Sequence, residues 1–179
     1  MKLIESVVDM FDAAEREGGP HYLCITTNGV VEHDKLTMGR GAAADAKRLF
    51  PWIPVRAGQV IKGLFPNQTT VETVTRSRVV RYELVEFSDD DAEHPDRFFA
   101  MVQTKLDWRD PSPPELVQAS LARLGKKAEG CPHIKFHLNY PAIGLGGLPL
   151  EMVQPWVEAL PDNVRVYRKS TGAYNRSQP

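Results

Sequence analysis

The chain has 179 residues, 42 % hydrophobic and 25 % charged, the composition of one globular domain long enough to bury a core. Its formal net charge of −1 offers no global positive field, which excludes bulk electrostatic capture of nucleic acid and leaves only a local patch for that purpose. Cys24 and Cys131 are too few for a disulfide framework and lack metal-ligand spacing, so reduced thiols in a cytoplasmic protein are expected, with no metal and no cofactor.

The opening "MKLIESVVDMFDAAERE" carries acids throughout, so it does not read as a signal peptide, and no window approaches the ~20 apolar residues of a membrane span. "KLIESVV" (2–8) reads as a short strand, and "DMFDAAERE" (9–17) as a helix or turn stopped by "GGP". "HYLCITT" (21–27) is a β-rich run that meets the turn signal Asn28-Gly29. Small and apolar residues recur at helical spacing over 41–50, closed by Pro51, and 54–66 offers a second helical or loop segment. Three stretches rich in Val, Thr, Tyr and Phe, 68–77, 78–87 and 98–106, predict strands, with the acidic "SDDDAEHPD" as a solvated loop between the last two.

"SPPELVQASLARLGKKAEG" (112–130) has Pro at its first turn, basic residues at its end and Gly beyond, the marks of a helix. A strand follows at 134–140, a Gly-rich loop at 141–147, a helix at 148–160 that tolerates or kinks at Pro155, and a last strand at 163–169. The chain closes on a polar tail, 170–179, expected to fray, after a single domain spanning 1–169. This alternation predicts an α/β fold, a mixed central sheet with helices on both faces.

Two strand–Gly-loop–helix passages stand out, "TTNG…MGRG" (Asn28, Gly29, Gly39, Gly41) and "GLGG" (Gly144, Gly146, Gly147). Helix N-termini attract phosphates, and glycines let oxygens approach backbone nitrogens that a Cβ would obstruct. Together they suit a ligand with two phosphates, or a phosphate and a sugar. Neither loop matches the Walker pattern, and "MGRGAAADA" begins too far from its strand for the dinucleotide fingerprint.

"CITTNGVV…MGRGAAADAKRLFP", "VQTKLDWRDPSPPELVQASLARL" and "PAIGLGGLPLEMVQPWVEALPDNVRVY" resemble, in that order, three blocks of the macrodomain family, over about residues 2–168. The similarity is to its bacterial and phage branch, which includes antitoxins that strip ADP-ribose from DNA. The resemblance implies a three-layer fold that binds ADP-ribose. It implies that Thr27, Asn28, Gly29, Met38, Gly39, Arg40, Gly41 and Ala42 line the ribose and phosphate side. Ile143, Gly144, Leu145, Gly146, Gly147 and Leu148 would form the phosphate loop, and Asp9, in "VVDMF", would meet the adenine amino group. Val8 stands where the family has Gly, and the rival role for Asp9 is a helix N-cap.

Lys105 in "QTKLDWR" matches a lysine implicated in that branch's chemistry, where it would attack the anomeric carbon or polarise the leaving group. The plain alternative is a surface lysine paired with Asp107. Trp108 is expected in the core, or else beside the site. The second loop carries no acid before Glu151 and is about two residues shorter than the related form, a departure that favours binding over hydrolysis. His33 and Asp34 offer acid–base groups or a polar loop tip, and His133 and His137 are expected to be structural. The implied function is hydrolysis of an ADP-ribosyl linkage on protein or nucleic acid, with Lys105 and Asn28 as catalytic residues. The alternatives are a non-catalytic ADP-ribose reader and an ADP-ribose 1″-phosphate phosphatase. Nucleic acid enters only as a modified substrate, and no membrane is involved.

Overall fold

The computed structural model describes residues 1–5, 9–66, 68, 77–89 and 93–168. In chain order the elements are β1 (Lys2–Glu5), α1 (Met10–Glu17), β2 (His21–Thr27), β3 (Val30–Glu32), β4 (Lys35–Leu36), α2 (Gly41–Leu49), α3 (Ile53–Leu64), β5 (Ser77–Val79), β6 (Leu84–Ser88), β7 (Arg97–Gln103), α4 (Pro114–Glu129), β8 (Lys135–Asn139), α5 (Leu150–Glu158) and β9 (Val164–Arg168). Six strands form the central sheet in the order β1-β9-β8-β2-β7-β6. Every neighbouring pair is parallel except β6–β7. A second sheet, β4-β3-β5, is antiparallel. No helix among the described residues is long and apolar enough to cross a membrane.

Parallel strands must be covered on both faces, and the period-2 pattern of β2 shows how this is done. Leu23 and Ile25 face one core with Met10, Phe11 and Ala14 of α1, Ala43 and Ala46 of α2, and Ile53, Ala57 and Ile61 of α3. Tyr22 and Cys24 face the other, with Val117, Leu121 and Leu124 of α4 and Val153 and Val157 of α5. The mixed sheet with helices on both faces is as expected. Pro155 sits inside α5 without ending it.

One expected strand divides. The predicted strand 78–87 divides between β5 and β6, separated at Val80–Glu83, where Glu83 takes φ 63°. The predicted strand at 68–77 falls largely outside the described residues, as do residues 6–8 of the first strand, 90–92 of the acidic loop and the C-terminal tail.

Midway along β8, His137 is fully buried, its Nδ1 2.7 Å from the Tyr167 hydroxyl and its Nε2 3.7 Å from Glu17. His133 is exposed in the turn before β8. Burial pushes the His137 imidazole down to about 4, against the attraction of Glu17 and with the help of His21, Arg165 and Lys135. The unfolded chain therefore takes up a proton on this group near pH 6.5, and the folded one only near 4. Its full stability is present above about pH 6.5 and declines as pH falls toward 4, by about 3 kcal/mol in all. Unfolding free energies from pH 7 to 4.5 should show a His137→Gln variant losing about one proton of slope. A titration of His137 near 6.5 in the folded protein would refute this.

Candidate functional site

β2 and β7 end side by side, Thr27 opposite Gln103, and β8 ends beside them at Asn139. Segments 28–40, 104–113 and 140–149 therefore leave from one carboxyl edge of the sheet, the edge where open α/β sheets place their ligands.

The first segment is a hairpin. β3 and β4 are joined by His33 and Asp34, both exposed, at φ 47° and 66°. Asn28 fastens its base: Val30 N–H donates to Asn28 Oδ1 at 2.8 Å, and Asn28 Nδ2 donates to Thr37 O at 2.8 Å. The second Nδ2 proton has no acceptor among the described residues. The tip is fastened to α3, with Lys62 ion-paired to Asp34. There the missing side chain of Gly58 makes the room, since a Cβ would lie 2.2 Å from Asp34 O. Helix propensity alone would have Gly58→Ala stabilise α3 by about 1 kcal/mol. The clash is with backbone at both ends, so we expect a net loss of about 1–3 kcal/mol and faster amide exchange over 30–36. Thermal unfolding decides the sign.

Thr27, Gly29 and Met38, expected to line the ligand, are buried beneath this edge, and Asn28 beside them is 8 % exposed. Met38 is 3 % exposed and belongs to the core of the α1–α3 face. Thr27 Oγ1 lies 2.6 Å from the Tyr82 hydroxyl, and its carbonyl accepts from the N–H groups of Thr104 and Lys105. Gly29 is glycine for packing, because a Cβ would fall 2.2 Å from Val80 O and 2.5 Å from Gln103 Nε2. Its N–H is already donated to Leu106 O.

Downstream, Gly39, Arg40 and Gly41 are exposed and Ala42 is half-buried. α2 begins with no side-chain cap and no acid in its first turn. Among the described residues, the N–H groups of Gly41, Ala42 and Ala43 have no acceptor. Gly41 has φ 57°, which favours glycine there. This uncapped, positively polarised terminus is a ready anion site.

The loop after β8 comes to meet it. A Cβ on Gly41 would touch Leu145 Cδ1 at 3.7 Å, so the two glycine loops adjoin. Leu148 N–H donates to Ala142 O, Gly147 N–H to Gly144 O, and Ser112 N–H to Gly146 O. Those bonds close the loop and leave the N–H groups of Ile143, Gly144, Leu145 and Gly146 without acceptors among the described residues. Gly144, Leu145 and Gly147 are exposed, Ile143 and Leu148 half-buried and Gly146 buried.

Lys105 follows β7 by two residues, half-buried, its N–H on Thr27 O. The pairing with Asp107 is not formed. Asp107 instead accepts from Arg109, through the backbone N–H at 2.9 Å and Nη1 at 3.0 Å. Trp108, expected in the core, is 43 % exposed with the Arg109 guanidinium 4.7 Å above its ring. Asp9 caps α1, accepting from Phe11 N–H at 2.9 Å, and its second oxygen has no partner among the described residues.

Two residues that sequence reasoning passed over tie the edge together. Gln103, fully buried, accepts from the N–H groups of Tyr82 and Glu83 and donates to Val80 O and Lys105 O. Tyr82 donates its hydroxyl proton to Asn28 O at 2.9 Å. The signal was present: a glutamine inside the apolar run "FFAMVQ" must find partners for its whole amide. Two clefts, one of about 440 Å³ along β6 and one of about 220 Å³ between Phe11 and Arg97, include no residue of the glycine loops. The unspent N–H groups, not those hollows, mark the candidate site.

No family model and no curated protein matches the chain. Solved structures do. The macrodomain of Mycobacterium tuberculosis DarG is similar with a TM-score of 0.65 at 21 % identity, over 94 % of this chain and 98 % of that one. The macrodomain of Thermus aquaticus DarG gives 0.61 at 23 % identity, over 94 % and 97 %. Thermosipho africanus DarTG in complex with ADP-ribose gives 0.58 at 18 % identity, over 85 % of this chain and 40 % of that one.

Proposed function

This chain has the macrodomain fold, and we propose that it binds ADP-ribose across the carboxyl edge of its sheet. The observation that carries this reading is the meeting of two sets of uncommitted backbone N–H groups, at the start of α2 and in the loop after β8. Seven donors are enough to cradle a diphosphate and discriminate against neutral ligands. The spare Nδ2 proton of Asn28 would reach a ribose hydroxyl, and the spare oxygen of Asp9 the adenine amine. The structure with ADP-ribose bound, similar in fold, belongs to Thermosipho africanus DarTG and supports the choice of ligand by analogy.

We further propose hydrolysis of an ADP-ribosyl linkage, with Lys105 as nucleophile or electrostatic catalyst. As nucleophile, the amine would displace the leaving atom at the anomeric carbon, and water would then break the ribosyl–lysine bond. By either route water supplies the hydroxyl, the leaving atom departs with water's proton and Lys105 is regenerated. An ammonium held at the leaving atom would stabilise the charge that develops there. Lys105 Nζ makes no ion pair among the described residues, which suits this task. A second reading, a non-catalytic reader, is favoured by the lack of any acid between Ala142 and Leu148.

Isothermal titration with ADP-ribose, beside NAD and AMP, tests the binding. We expect a dissociation constant in the micromolar range, about −8 kcal/mol, and much weaker heats with AMP, which lacks the second phosphate and distal ribose. Equal affinity for AMP would remove the diphosphate from the argument.

A further inference from the structure

The residues just described stand on a buried polar lattice. Tyr82 is 1 % exposed and Gln103 not at all. Asn28 O can only accept, so the Tyr82 hydroxyl donates to it, and Thr27 Oγ1–H must then donate to the Tyr82 oxygen. Burial pushes the Tyr82 phenol well up, which keeps that proton in place. Gln103 fills all four of its amide positions, two accepting from Tyr82 and Glu83, two donating to Val80 and Lys105. A flipped amide would set oxygen against two carbonyls, so only one orientation is possible. Ser120 adds a 2.7 Å bond to Gln103 O from the α4 side.

The lattice thus holds one backbone atom of Asn28 and one of Lys105, on two different strand ends, at a fixed separation. We propose that Tyr82 and Gln103 are positioning residues, which set Asn28 and Lys105 in register for the ligand. This deepens the ADP-ribose reading and rests on it. At the split between β5 and β6, Val80 O and the N–H groups of Tyr82 and Glu83 meet the Gln103 side chain, while Val80 N–H donates to Gly29 O and Glu83 O accepts from Gln103 N–H.

Tyr82→Phe removes one oxygen from the lattice and keeps the ring in the core. Calorimetry with ADP-ribose on the wild type, Tyr82→Phe, Asn28→Ala and the double variant closes a thermodynamic cycle. We expect Tyr82→Phe to weaken binding about 5- to 10-fold alone and less than 2-fold in the Asn28→Ala background. A purely structural hydroxyl would give the same factor in both backgrounds, and that result, or no effect at all, overturns the proposal. Thr27→Val, which deletes the donor to Tyr82, repeats the cycle should Tyr82→Phe fail to fold. If the wild type does not bind ADP-ribose, the reading beneath has failed and the inference with it. If the wild type binds and the cycle is additive, only the inference has failed.

Discussion

Gly146→Ala should abolish ADP-ribose binding, lowering affinity at least 100-fold, through a single methyl group. That Cβ would stand 2.3 Å from Ala142 O, 2.6 Å from Ala142 Cα and 2.6 Å from Ser112 Oγ. Two of the three obstacles are backbone, so they cannot swing aside, and the loop has to open. Opening breaks the bonds from Ser112 N–H to Gly146 O and from Leu148 N–H to Ala142 O, which shape the row of free amides. A 100-fold loss corresponds to about 2.7 kcal/mol, no more than two or three charge-assisted hydrogen bonds, so losing the row is sufficient. Gly144→Ala is the contrast, because a Cβ there meets nothing within 4 Å. It should keep the loop and thermal stability intact, and any loss of affinity it causes would report direct crowding of the ligand. Titration of both variants, with melting curves alongside, separates the cases. Wild-type affinity in Gly146→Ala would mean that the loop after β8 is not where the phosphates sit.

The contrast between those glycines also shows what could be read beforehand. Their presence marked the loops, but their reasons differ in ways that depend on distant chain. Gly29 and Gly146 are closed in by Val80, Gln103, Ala142 and Ser112, whereas Gly39 and Gly144 face open space. The central strands were legible because β2 and β7 alternate between two helical layers, and nothing nearby competes with that pattern. The break at Val80–Glu83 was not, since "RVVRYELVEF" alternates Val, Tyr and Phe with charged residues like one continuous strand, and the Gln103 amide that meets it there lies twenty residues later. The hairpin 30–36 escaped for a related reason. Its turn is His33-Asp34, residues that tolerate positive φ without announcing it as Asn-Gly does. Trp108 lies at the surface with the Arg109 guanidinium over its ring and Asp107 holding Arg109 there, a contact that nothing in the spacing of "QTKLDWR" announces.

Lys105→Ala should separate catalysis from binding. The amine sits two residues beyond the strand that positions it, and its backbone is fixed independently, by Thr27 O and Gln103 Nε2. Removing the side chain therefore leaves the loop's place unchanged, and affinity for free ADP-ribose should stay within about 3-fold. Turnover of an ADP-ribosylated substrate should fall about 100- to 1000-fold, the scale of losing one electrostatic or nucleophilic group at a developing charge. Lys105→Arg distinguishes the two roles. A guanidinium keeps the charge but is never a nucleophile at neutral pH, so partial activity would indicate electrostatic action and none would indicate attack by the amine. The measurement is product formation from ADP-ribosylated oligonucleotide and from ADP-ribosylated protein, resolved by chromatography so that free phosphate would also be seen. Turnover by Lys105→Ala equal to the wild type would remove Lys105 from the chemistry. Tight binding with no turnover by the wild type on either substrate would instead favour the non-catalytic reader, as the acid-free loop from Ala142 to Leu148 suggests.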